Sequence, residues 1–196
     1  MDTDQTRRLF LGQAGVSLGL LWLGSLTPDL LAQAHAHAQA TAQSGNKTYH
    51  FFTPQQAADF DAFAAQIVPT DDTPGAREAN VVHFTDYLLS GVDSDQQSKV
   101  SDALKALHEQ AAKTVPGATS FAGITSAQQV EAIKAMEKSD AFWILRGFVL
   151  TGCFCTPGFG GGNKDKVGWK LIGFQDDFYY KPPFGYYDAH YDEGKS

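Results

Sequence analysis

The sequence predicts an all-α protein: a small helical domain with a long, irregular C-terminal extension rich in glycine and aromatic residues. Three observations carry this expectation. From Ala57 to Leu150 apolar side chains recur at three- and four-residue spacing, the period of helices that bury one face. No run of apolar and polar alternation suggests a strand. After Gly152 the composition turns to Gly, Pro and aromatics, with nine aromatic residues between Trp169 and Tyr191. The division that follows is an N-terminal address over 1–42, a helical domain over 43–152 and a partner-docking loop and tail over 153–196.

The elements follow in order. Residues 44–52 are a polar entry segment. Thr53-Pro54-Gln55-Gln56 is a helix start, with Thr as cap, Pro in the first turn and Gln three residues after the cap. Ala57, Phe60, Phe63, Ala64 and Ile67 form its buried stripe, and Val68-Pro69 stops it. Residues 70–75 (TDDTPG) read as a turn-rich loop. A helical pattern resumes over 76–89 and ends at Gly91. Ser94 or Asp95 caps the next helix, whose stripe is Val100, Ala103, Leu104 and Leu107. Val115-Pro116-Gly117 breaks the chain, and Phe121 and Ile124 plug the edge of the core. Thr125 or Ser126 starts a helix through Lys138. Ser139-Asp140 caps a last one, apolar on nearly all sides from Ala141 to Leu150 except Arg146, which places it at the centre of a bundle or under a partner.

Composition narrows the function. The chain has 196 residues and a formal net charge of −7, which argues against nucleic acid, since phosphate binding needs clustered Lys and Arg. Two Cys do not make a disulfide scaffold. The first 42 residues read as targeting rather than structure. Thr6-Arg7-Arg8-Leu9-Phe10-Leu11 resembles a twin-arginine export signal, and an apolar stretch from Leu9 to Leu26 follows. Pro28 and Asp29 end that stretch, and residues 32–42 (AQAHAHAQATA) offer several A-x-A cleavage sites. The competing reading is an uncleaved membrane anchor. His35 and His37 fall in the Ala-rich stretch and are taken as spacer. The twin-arginine route carries folded proteins, so this chain is expected to fold before export, and its destination is the periplasm.

Candidate catalytic groups are few. His50, His83, His108 and His190 sit in no ligand spacing such as H-E-x-x-H. Asp71 and Asp72 could be a carboxylate pair, but a turn with solvated caps explains them better. No G-x-S-x-G occurs. For Cys153-Phe154-Cys155 three states stay open: two thiols, a link to a partner chain, or a local disulfide, which is strained at this spacing. A metal or iron–sulfur site within the chain would need further Cys. Gly158 to Lys164 lacks the ending of a P-loop and the third Gly of a dinucleotide fingerprint. The aromatic tail has too many rings for a small bundle to bury and suits a protein interface.

These residues resemble the gluconate 2-dehydrogenase subunit 3 family. The resemblance rests on 67–71 (IVPTD) with Pro74-Gly75-Ala76, on Gly152, Pro157 and Gly161-Gly162-Asn163, on 168–174 (GWKLIGF), and on 182–187 (PPFGYY). It implies a small subunit with no catalytic, cofactor or metal residues of its own. Its large partner would be a FAD-dependent dehydrogenase of the glucose-methanol-choline type, and a membrane-associated cytochrome c subunit would carry haem c. Arg7, Arg8, Phe10 and Leu11 would then carry export. Pro157, Gly161, Gly162, Asn163, Trp169, Phe174, Phe184 and Tyr186 would dock the partner. The alternative is a free-standing periplasmic protein, redox-active through Cys153 and Cys155 or sugar-binding through its aromatic tail.

Overall fold

The computed structural model describes residues 27–44, 48–91, 94–154 and 167–173. Seven helices make up the described residues: α1 (Pro28–Ser44), α2 (Pro54–Ile67), α3 (Val81–Ser90), α4 (Ser94–Thr114), α5 (Ser126–Met136), α6 (Asp140–Phe154) and α7 (Val167–Leu171). No strand occurs among them. None of the described helices is long and apolar enough to cross a membrane; the apolar stretch from Leu9 to Leu26 lies outside the described residues.

The capping signals act as the sequence suggests. Thr53 accepts from Gln56 N while the Gln56 side chain accepts from Thr53 N, and Thr125 and Gln128 repeat this box at the start of α5. Ser139 accepts from Phe142 N at the start of α6. α6 is the centre of the bundle, touching α2, α3, α4, α5 and α7. Phe60, Phe63, Phe84 and Phe121 are fully buried with Leu88, Leu107 and Leu145. The outer side of α6 is half-buried, and there the Arg146 guanidinium lies over the Trp143 ring at 5.2 Å.

Three features differ from the sequence expectation. Residues 76–80 are turn rather than helix, and α3 starts only at Val81. Asn80 takes the left-handed conformation (φ 54°), which a continuous helix does not allow. α6 runs past Gly152 to Phe154, and the extension contains the short helix α7.

The third difference is the largest. The Ala-rich stretch 32–42, read above as spacer, lies within α1, a helix packed on α3. Thr27 caps it by accepting from Leu30 N at 3.4 Å, and Asp29 complements its N-terminal dipole. Ala34, His35, Ala38 and Thr41 are buried along one face, at helical spacing. Leu30 sits over Gly91, where a Cβ would come within 3.1 Å of Leu30 Cδ1. His35 stacks on Phe84 (4.2 Å between centroids) and His37 on Tyr87 (4.5 Å).

Candidate functional site

Among the described residues a heavily used buried polar group is Asp86 of α3, only 1 % exposed. Its Oδ2 accepts from His50 N at 2.7 Å, and its Oδ1 accepts from Phe51 N at 2.9 Å and Phe52 N at 2.8 Å. Three successive backbone donors at the entry to the domain are thus satisfied by one carboxylate, and the chain is fixed from His50 onward. Sequence reasoning passed over Asp86. Its partners are backbone groups some 35 positions away, so no local spacing marks it.

Rings gather around this clamp. His50 lies edge-on to His37 and Tyr87, and Tyr49 stacks on His83 at 5.3 Å. Burial holds the His37 and His83 imidazoles below their ordinary pKa and pushes the Tyr49 phenol up. Tyr49, His83, Asp61, Arg77 and Asn80 line an open cleft of about 570 Å³. Among its lining residues Arg77 is the one Lys or Arg, and it is already paired with Asp61 at 2.9 Å. Such a cleft does not fit a dinucleotide pyrophosphate, which needs free cations or a fan of backbone N–H groups. No group of three or more His, Cys, Asp or Glu among the described residues is placed to hold a metal ion.

Asp71 and Asp72 lie in a bend over 71–73. Asp71 Oδ1 accepts from Thr73 N and Thr73 Oγ1, both at 2.9 Å, and these bonds lower its pKa. Glu78 closes the same loop by accepting from Thr70 Oγ1 and Gly75 N, which keeps its carboxyl below the usual range. Ala76 N donates to Val68 O, and a Cβ on Gly75 would lie 2.5 Å from that oxygen. The stretch 67–76 is therefore a knot of backbone that requires its glycine. Asp59 has a similar structural duty: buried, it accepts from Ala122 N at 2.8 Å and holds the loop before α5.

At the C-terminal end, α7 docks on α6. Gly168 lies so close to α6 that a Cβ would collide with the Cys153 carbonyl oxygen and come within 2.7 Å of Phe154 Cδ1. Trp169 is buried, and its indole N–H donates to Phe154 O at 3.1 Å. Trp169 thus packs against its own domain. The exposed large apolar side chains here are Leu171 and Ile172, the latter 63 % exposed, which the aromatic pattern did not single out. Cys153 is a buried free thiol, pushed up to about 12 by desolvation. Its would-be local partner Cys155 lies outside the described residues. Cys155, Pro157, Gly161, Gly162, Asn163, Phe174, Phe184 and Tyr186 lie outside the described residues, as do Arg7, Arg8, Phe10 and Leu11.

The elements just described, from α2 through the 67–76 knot to α7, coincide with a known pattern: the model of gluconate 2-dehydrogenase subunit 3 matches residues 54–176. The chain belongs to the gluconate 2-dehydrogenase subunit 3 family. The glycine-dependent contacts at Gly75 and Gly168 fall inside the matched region, whereas α1 and the Asp86-bound entry residues His50 to Phe52 precede it. As its name states, the family is a subunit of a dehydrogenase complex, so partner subunits are implied. No curated protein and no solved structure is a significant match.

Proposed function

We propose that this chain is the non-catalytic small subunit of a periplasmic FAD-dependent dehydrogenase acting on gluconate or a related sugar. In this reading it folds with the large flavoprotein, stabilises it and escorts it through the twin-arginine route. Arg7 and Arg8, with Phe10 and Leu11, supply the address. FAD belongs to the large glucose-methanol-choline-type partner, and haem c to a cytochrome subunit that draws electrons toward the membrane. The docking surface is the C-terminal arm from Pro157 to Tyr187, which includes the exposed Leu171 and Ile172.

The observation that carries the reading is the use to which polar groups are put. Asp59, Asp71, Glu78 and Asp86 serve backbone and hydroxyl donors, and Cys153 is sealed. Asp59 lies 3.8 Å from His108 Nδ1 but already holds Ala122 N, and none of the others sits beside a base among the described residues. Such a scaffold suits a protein that presents a surface. Affinity purification of the tagged full chain from cells that also express the large subunit tests this: co-elution of a flavin-bearing polypeptide supports the proposal. A chain that elutes alone, with dehydrogenase activity of its own, contradicts it.

A further inference from the structure

All the A-x-A triplets of the N-terminal region lie within α1, and α1 has one face against α3. Signal peptidases read small residues at the first and third positions of such a triplet, on an extended chain. Five overlapping triplets end at Ala34, Ala36, Ala38, Ala40 and Ala42. Ala34 is 0 % and Ala38 1 % exposed, so each of the first four triplets has one of its two small residues sealed in the α1–α3 seam. In the fifth, Ala40-Thr41-Ala42, Ala40 is exposed and the buried Thr41 occupies the unread middle position. This triplet lies in the last turns of the helix, where local opening costs least.

We propose that docking of α1 on α3 selects the processing site: the four inner triplets are shielded and the chain is cut after Ala42. The inference rests on the export reading above, which delivers a folded chain to the peptidase. The Asp86 clamp explains why such a cut leaves the domain intact. It fixes the backbone from His50 onward, C-terminal to the cut, so removal of α1 does not unpin the entry segment. The seam is also built to release. His35 Nε2 and Thr85 Oγ1 are buried without a hydrogen-bond partner among the described residues, which weakens the dock.

The test uses the full chain purified from the cytoplasm, incubated with detergent-solubilised signal peptidase and read by intact mass. The proposal expects one product, beginning at Gln43. His35→Glu buries a charge in the seam yet replaces none of the small residues that are read: it is the middle of Ala34-His35-Ala36 and the residue that follows Ala34. Products beginning at residues 35, 37, 39 and 41 then increase about tenfold or more. His35→Phe keeps the stack on Phe84 and keeps the single product. A wild-type cut after Ala34, Ala36, Ala38 or Ala40, no cut at all, or the same single product from His35→Glu overturns the proposal. Export is read separately, by locating the chain in cells with and without Arg7→Lys and Arg8→Lys. A failure there overturns the export reading, while the purified-chain cleavage pattern still judges site selection.

Discussion

Replacing Asp86 by Ala strips three backbone donors of their acceptor at once. His50, Phe51 and Phe52 each donate to this carboxylate at 2.7 to 2.9 Å, and Phe52 is only 4 % exposed. A hydrogen bond to a charged group contributes about 1.5–3 kcal/mol, and a buried donor left unpaired costs about 1–3 kcal/mol. His50 is exposed and can turn to water, so the three do not sum fully. The expected loss is about 3–5 kcal/mol, a large share of the roughly 5–15 kcal/mol that holds a domain together. At roughly 4 °C per kcal/mol for a domain of this size, Tm falls by roughly 12–20 °C. Urea unfolding followed by circular dichroism gives the free energy directly, with the midpoint lowered and the slope unchanged. Asp86→Asn keeps one oxygen for Phe51 and Phe52 but turns an amide toward His50 N, so it loses about 2 kcal/mol. An Ala variant within about 1 kcal/mol of wild type, or equal losses for Ala and Asn, refutes the clamp.

Other outcomes follow from the same geometry. Burial holds His35 at about 4 against an ordinary value of 6.5, so the docked helix excludes the proton. Docking of α1 is then at full strength above pH 6.5 and weakens as pH falls toward 4, by up to about 3 kcal/mol; the lowered His37 and His83 act in the same direction. Amide exchange in α1 measured from pH 7.5 to 4.5 reads this, and His35→Phe flattens the profile. Gly168→Ala forces a methyl into the Cys153 carbonyl and Phe154 ring, lifting α7 at a cost of about 1–3 kcal/mol, visible as a red shift of Trp fluorescence. An unshifted spectrum counts against that close approach. Cys153 resists iodoacetamide at pH 8 in the folded protein and reacts after unfolding, as peptide mapping shows; ready alkylation of the folded form contradicts its burial.

Much of the helical fold was legible because its signals are local. Thr53 and Thr125 with their Gln partners announce α2 and α5, and the stripe through Leu107 announces α4. What was illegible depends on groups distant in sequence or on a competing use of the same residues. Asp86 has no motif, since its partners are backbone amides of another segment. The break at Asn80 arises from the pull of Val68 O on Ala76 N, a contact that no helical period encodes. α1 was hidden by its resemblance to a cleavage region, although Thr27-Pro28 before Ala34, Ala38 and Thr41 at helical spacing was a usable signal. Trp169 illustrates the limit of composition: an aromatic-rich segment suggests an interface, but Gly168 lets this ring pack on its own domain.

The central claim is that the chemistry belongs to another chain and that this one delivers it. The direct measurement is periplasmic dehydrogenase activity in cells that express the large subunit with the wild-type chain, with the Arg7→Lys, Arg8→Lys chain, or with no chain at all. The account predicts that activity is present in the periplasm only with the wild-type chain and falls to background in the other two. Equal periplasmic activity in all three contradicts it.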